Sequence, residues 1–351
     1  MNNLSPLFEV PANSSRFFDD YVEATSQPLG NVQLVWDPND EIIVNQRYKP
    51  ELIKYDTQYC TSVSEIGTKY RIATLSYFDE ILQFIKEKPV VIDIGCGQGE
   101  FVSELRNLGI DACGYDPVVR IDNPFLYSRY WGPEEKSADL YIMRCVLPHI
   151  QSPWDFLRRI SLSAPKSLVL IEFQRIEWIL KHKVWYQVSH DHVNLFSIIS
   201  FTSRYELIKS GTFSNGEWGW VLINPSEKEN QCRNSIPSYF REINDLFTQK
   251  DRFLKKMAST NKPLAIWGAA GKGIVLTHAL KKVHNNLFST DADPKRWGRF
   301  LEASGLKVLP PLEALKTFPP ETLILVCNPN HLEQIKEYVQ GRFQVKIPTQ
   351  V

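Results

Sequence analysis

Val90-Val91-Ile92-Asp93-Ile94-Gly95-Cys96-Gly97-Gln98-Gly99-Glu100-Phe101 is the stretch that decides the fold of this 351-residue chain. Its first half, entered from Pro89, is a short β-branched apolar run of the kind that forms a strand buried on both faces of a parallel sheet. Three glycines at alternate positions then make a tight turn, where the backbone can approach a neighbour closely. A helix follows, with Phe101, Leu105 and Leu108 on one face and Gly109 as its stop. Upstream, Leu75, Phe78, Ile81, Leu82 and Ile85 share one helical face from about Thr74. Downstream, Ala112–Tyr115 reads as the next strand, closed by Asp116. Leu140–Met143 and Ser167–Glu172 read as two more buried strands. Strands alternating with helices predict a doubly wound parallel sheet.

The pattern recurs from about Lys262. Leu264–Trp267 is a strand, Gly268-Ala269-Ala270-Gly271-Lys272-Gly273 a turn, and a helix opens at Ile274. Further strands are Leu287–Thr290, before Asp291, and Leu323–Cys327. The fold class expected is α/β, with two Rossmann-like doubly wound domains plus a small irregular N-terminal lobe. The lobe takes residues 1–73, with short apolar runs at Val32–Trp36 and Ile42–Val44 among Pro, Asn and Asp residues. The first domain takes 74–223, a polar helical bridge 224–261, and the second domain 262–351.

Composition narrows the function classes. The chain is 43% hydrophobic and 23% charged, and 40 basic residues balance 40 acidic ones. Zero formal net charge gives no electrostatic reason to expect nucleic acid or an anionic membrane as partner. No apolar run has the length of a transmembrane helix, and the N-terminus shows neither the basic start nor the apolar core of a signal peptide. The six cysteines (Cys60, Cys96, Cys113, Cys145, Cys232 and Cys327) include no C-x-x-C pair, so neither a zinc site nor a redox motif is expected. A cytoplasmic enzyme with reduced thiols and no metal fits this picture.

Asp93-x-Gly95-x-Gly97-x-Gly99 sets the chemistry. In a dinucleotide fingerprint, G-x-G-x-x-G, the third glycine would come one residue later. Here it comes early, and an acid stands at the strand end. S-adenosylmethionine has no pyrophosphate to cradle but carries an amino group and a sulfonium cation. Asp93 would place the amino group through water, and Asp116 would accept hydrogen bonds from the ribose hydroxyls. Read alone, the second turn fits either of two roles: binding a phosphate, or packing a helix close to a strand. It lacks the spacing of a P-loop.

Several stretches together resemble the sugar C-methyltransferase-like proteins, whose characterised members methylate a ring carbon of nucleotide-linked 4-keto-6-deoxy sugars. The resemblance runs from about Pro50 to Ile335. Pro50–Asp56 resembles the segment before the family's methyltransferase domain. Asp93–Phe101, including Cys96, and Gly114-Tyr115-Asp116-Pro117 resemble its cofactor motifs. Ser189-His190-Asp191-His192 resembles its Tyr-His-Glu-His segment. Ile266–Gly273, Asp291–Phe300 and Cys327–Asn330 resemble its second domain.

The resemblance implies a class I methyltransferase domain holding S-adenosylmethionine at Asp93, Gly95, Cys96, Gly97, Gly99, Asp116 and Pro117. It implies His192 as the base, aided by His190. It also implies a small-molecule acceptor, a nucleotide-linked sugar in the family, held by Ser189, Trp267, Gly268, Lys272, Asp293, Arg299 and Asn328. Carbon methylation beside a ketone begins with removal of a proton, and an imidazole with a pKa near ~6.5 suits that step.

The chain departs from the family in places. The zinc module's second cysteine pair is replaced by Asp37-Pro38-Asn39-Asp40. Ser189 stands for a tyrosine, Leu147-Pro148-His149 for Leu-Glu-His, and Asn215-Gly216-Glu217-Trp218 for His-Gly-Gly-Ser. O- or N-methylation of another metabolite, a non-catalytic binding or scaffold protein, and a nucleotide-dependent oxidoreductase are the competing readings. The early third glycine argues against the last.

Overall fold

The computed structural model describes residues 5–59, 68–228 and 238–351; Cys60 and Cys232 lie outside them. The lobe contains β1 (Phe8–Pro11), β2 (Phe17–Phe18), α1 (Tyr21–Thr25), β3 (Leu29–Val32), β4 (Leu34–Asp37) and β5 (Ile42–Asn45). β4 and β5 form an antiparallel hairpin. Its turn is the stretch that stands where the family has cysteines. Asp37 Oδ1 accepts the amides of Asn39 (2.8 Å) and Asp40 (3.2 Å), closing the turn as an Asx turn.

The first unit runs α2 (Thr68–Leu82), β6 (Val90–Ile94), α3 (Glu100–Asn107), β7 (Asp111–Tyr115), β8 (Leu126–Tyr127), β9 (Leu140–Arg144), α4 (Pro153–Ser163) and β10 (Leu168–Gln174). It continues through α5 (Ile176–His182), β11 (Asn194–Leu195), α6 (Ile198–Thr202), β12 (Tyr205–Phe213) and β13 (Trp218–Glu227). The sheet order is β12-β13-β10-β9-β6-β7-β8. From β10 to β8 every pairing is parallel, while β13 is antiparallel to both its neighbours. Successive residues of the central strands fall in different cores, as period-2 geometry requires. Ile92, Tyr141 and Ile171 pack on one face; Val91, Leu140, Ile142 and Leu170 pack on the other.

The β12–β13 hairpin was not expected from the sequence, and it makes the sheet mixed. β12 is an edge strand, half-buried with polar residues throughout, so it carries no apolar run to read. α2 likewise starts at Thr68, ahead of the apolar face that begins near Thr74.

The second unit contains α7 (Glu242–Ala258), β14 (Leu264–Trp267), α8 (Lys272–Lys281), β15 (Leu287–Thr290), β16 (Phe300–Leu301), β17 (Val308–Leu309), α9 (Pro311–Thr317), β18 (Leu323–Val326), α10 (Leu332–Val339) and β19 (Gln344–Lys346). Its sheet, β17-β15-β14-β18-β19, is parallel throughout.

The lobe and the bridge are not separate from these units. α7, expected as a polar bridge, buries Ile243, Leu246, Phe247, Phe253 and Met257. These side chains share one core with Phe8 and Trp36 of the lobe, Trp185 of the first unit, and Leu264 and Leu276 of the second. The rings of Phe8 and Phe247 lie 4.8 Å apart. Full burial of one such side chain contributes about 1.5–3 kcal/mol, so this core ties the three parts together. Strand pairing does the same, since β5 pairs with β11 and β2 with β16.

Candidate active site

The carboxyl ends of β6, β7 and β9 and those of β14, β15 and β18 open on one cleft of about 1590 Å³. In open α/β sheets this end is where ligands bind. The volume exceeds the ~300–1,000 Å³ usual for one small ligand, which leaves room for two side by side.

At the β6 end the turn is drawn tight. Gly95, Gly97 and Gly99 all have positive φ (75°, 59° and 79°). A Cβ on Gly95 would stand 2.3 Å from Val146 Cγ2, so no other residue fits there without displacing the cleft wall. Asp116, after β7, accepts the amides of Gly97 (3.0 Å, Oδ2) and Val118 (2.9 Å, Oδ1), and so fixes the turn from the side. Burial pushes its carboxyl up, against the pull of these bonds.

Asp93 lies beneath the turn and is sealed from solvent. Its Oδ2 has no hydrogen-bond partner, and Arg144 stands 3.9 Å away. Burial pushes its pKa up to about 6 although Arg144 opposes the shift. Gly95, Cys96, Gly97, Asp116 and Pro117 line the cleft; Asp93 and Gly99 do not. Gly99 instead starts α3 in a left-handed conformation.

Facing this end, the rings of His192 and His149 meet edge-on with centroids 4.6 Å apart, and both line the cleft. The peptide oxygen of Asp191 lies 2.8 Å from His149 Nδ1. The Asp191 carboxylate accepts the amide (3.1 Å) and hydroxyl (2.8 Å) of Ser14 in the lobe. Burial pushes that carboxyl up, but the imidazoles of His192 and His149 and the hydroxyls of Ser189 and Ser14 outweigh it and hold it below its ordinary value. For His192, burial and the adjacent His149 push the pKa down to about 4, against the pull of Asp191. The ring is therefore a neutral imidazole at neutral pH, not one poised near 6.5.

The remaining candidates divide. Trp267, Gly268, Lys272 and Asn328 line the cleft from the second unit. His190, Ser189, Asp293 and Arg299 do not, which corrects the expectation for these four. Both ring nitrogens of His190 are engaged. Nδ1 donates to the Asn31 oxygen (2.8 Å), and Nε2 accepts the Lys49 amide (3.2 Å). A histidine so bonded ties the lobe to the first unit. Ser189 is buried. Asp293 caps the turn at Lys295 and pairs with Arg296. Arg299 bonds to Asp19, Gln58 and the Phe17 oxygen.

Further side chains complete the walls: Tyr48, Tyr59 and Arg144, which no motif marks, and Tyr55, His149, Glu217 and Asn330, which lie in the family-like segments but have no implied site role there. Isolated tyrosines in an aperiodic segment carry no spacing signal.

Residues 68–206 match the family model of a methyltransferase domain. This part of the chain is a methyltransferase domain, and the chain is an enzyme.

Among solved structures, the chain is similar to a protein from Pyrococcus horikoshii OT3, with 16% identity and TM-score 0.36 over 47% of this chain and 95% of that one. It is similar to a SAM-dependent methyltransferase from Anabaena variabilis, with 13% identity and TM-score 0.33 over 44% and 85%. It is also similar to the magnesium protoporphyrin IX methyltransferase from Synechocystis with bound SAH, with 12% identity and TM-score 0.34 over 47% and 88%. No curated protein matches the chain. Among the described residues, no group of three or more His, Cys, Asp or Glu side chains is arranged to hold a metal ion. No described helix is long and apolar enough to cross a membrane.

Proposed function

We propose that this methyltransferase domain carries out C-methylation of a small-molecule acceptor, at a carbon beside a carbonyl, with His192 as the base. Sugar C-methylation is what the family resemblance implies. The observation that carries the reading is His192 on the wall of the same cleft as the glycine turn, next to an Asp191 carboxylate that Ser14 fixes.

The residues fit the donor. Asp93 Oδ2 is a buried acceptor without a partner, which suits a water held under a cationic amino group. Asp116 keeps lone pairs beyond its two amide bonds for the ribose hydroxyls. When bound, S-adenosylmethionine supplies an electrophilic methyl group on a sulfonium sulfur.

The chain's own part is to move a proton and exclude water. His192, neutral at working pH, takes the proton from the acceptor carbon. The C–H electron pair passes toward the carbonyl and leaves an enolate. With its pKa lowered, the ring is a weak base in isolation. The Asp191 carboxylate beside it offsets the positive charge that forms, and Ser14 fixes that carboxylate. Tyr55 and Tyr59, whose hydroxyls burial keeps protonated far above neutral pH, offer donors and ring faces to the acceptor.

The test is methyl transfer to a panel of keto sugars, with and without nucleotide groups, by wild type and His192→Ala. A general base contributes roughly 10²–10⁴-fold, so transfer should fall by that factor while affinity for S-adenosylhomocysteine stays the same. Unchanged turnover would remove His192 from the mechanism and favour O- or N-methylation.

A further inference from the structure

Glu217 belongs to the turn between β12 and β13 of the first unit, yet its carboxylate ends inside the second. Oε1 accepts Lys272 Nζ (2.5 Å), and Oε2 accepts the side-chain amides of Asn328 (3.0 Å) and Asn330 (2.8 Å). The carboxylate is 3% exposed and the Lys272 side chain 10%, so this is a sealed ion pair on the cleft wall. Lys272 lies within the Gly268–Gly273 stretch and is the first residue of α8, directly after the Gly271 cap.

A phosphoryl group at such a turn needs free backbone amides and an uncompensated cation. The cation and four of the turn's six amides are already engaged here. The amides of Gly268, Ala269, Gly271 and Gly273 donate to Thr290 O, Asp291 Oδ2, Ser14 O and Ala270 O. Arg296, the other cation at this end of the cleft, pairs with Asp291 (3.0 Å) and Asp293 (3.4 Å). Gly273 has a packing role, since a Cβ there would lie 1.8 Å from Gly268 O. Of the two roles open to this turn, the geometry supports packing a helix onto a strand. Toward the cleft, this half offers neutral amides and the rings of Trp218 and Trp267. Arg144 lines the donor end beside Asp93, and Arg159 of α4 lines the cleft as an exposed residue outside this half.

We propose that Glu217 is a specificity-determining residue: it occupies the position a phosphoryl group would take and so selects, as acceptor, a neutral hydroxylated ring that carries no phosphate. The word acceptor rests on the methyltransferase reading above; the exclusion of phosphate does not. A diphosphate entering this half would meet the carboxylates of Glu217 and Asp291, with the neighbouring cations Lys272 and Arg296 already paired to them. Neutral hydroxyls would meet amides and indole faces, the chemistry that holds sugars and polyols.

The experiment is titration of the full chain, saturated with S-adenosylhomocysteine, with UDP and with inorganic pyrophosphate. Wild type should show no saturable binding in the micromolar range. Glu217→Gln frees Lys272 and should gain about tenfold or more in affinity for both, the worth of a hydrogen bond to a charged group. Adding Lys272→Met should erase that gain. Micromolar binding of UDP or pyrophosphate by wild type overturns the proposal whether or not E217Q folds, and so does a folded E217Q that gains nothing. Loss of S-adenosylhomocysteine binding in wild type would instead count against the methyltransferase reading and leave the phosphate titration to be read on the free protein.

Discussion

Asp93→Asn should make the ligand-free protein more stable at neutral pH while weakening its hold on the donor. The native carboxyl is 1% exposed, and its pKa rises from 3.8 to about 6. Each pKa unit corresponds to 1.36 kcal/mol, so the buried charge costs about 3 kcal/mol of stability once fully ionised. The sign follows from proton counting. Between pH 3.8 and 6 the folded state binds more protons at Asp93 than the unfolded chain does, so wild-type stability falls as pH rises through that window. Asn is neutral throughout and escapes the cost.

Urea unfolding of the two proteins at pH 7.5 should therefore favour the variant by up to ~3 kcal/mol, and at pH 4 the gap should nearly close. Titration with S-adenosylhomocysteine should show the opposite ranking, with the variant weaker by about tenfold or more. Such a trade, function retained against stability, is usual at binding sites. A variant that is less stable than wild type at pH 7.5, or a gap independent of pH, would refute the reasoning that burial dominates at Asp93.

Acid should unfold the protein earlier than its carboxylates alone dictate. His192 and His278 both have pKa values pushed down to about 4, burial being the first cause for each. The unfolded chain takes up their protons first, so their share of stability drops as pH falls from 6.5 to 4, by up to ~3 kcal/mol for each ring and opposite in sign to the share of Asp93; urea unfolding of wild type and His278→Gln at pH 6.5 and pH 4 checks it, and a difference between the two proteins that does not change with pH would contradict it. Gly273→Ala should destabilise the second unit by about 3 kcal/mol or more, because the atom it strikes at 1.8 Å is the backbone oxygen of Gly268; a thermal melt within error of wild type would contradict the close-packing role.

Most of the central scaffold could be read in the sequence because it obeys simple periods. Val90–Ile94, Leu140–Met143, Leu168–Ile171, Leu264–Trp267 and Leu323–Val326 are short apolar runs bounded by turn residues, and all of them are strands. What escaped lacks that signature. β12 is half-exposed at a sheet edge, and α7 hides five buried side chains on one face of a charge-rich helix. In the cleft, the glycine turn and Asp116 announce themselves by spacing. Glu217, Arg144 and Tyr55 come from separate segments, and only the fold brings them together. His190 and His192 could not be told apart by pattern. Two residues apart, one is locked between Asn31 and Lys49 while the other faces the cleft.

The most direct test of the account is a thermal shift of the full chain with S-adenosylhomocysteine and, separately, with NAD. A ligand that binds only the native state raises stability by RT ln(1 + [L]/Kd), about 2.7 kcal/mol at a hundredfold excess over Kd. The account predicts that shift with S-adenosylhomocysteine and none with NAD. Stabilisation by NAD and not by S-adenosylhomocysteine would contradict it.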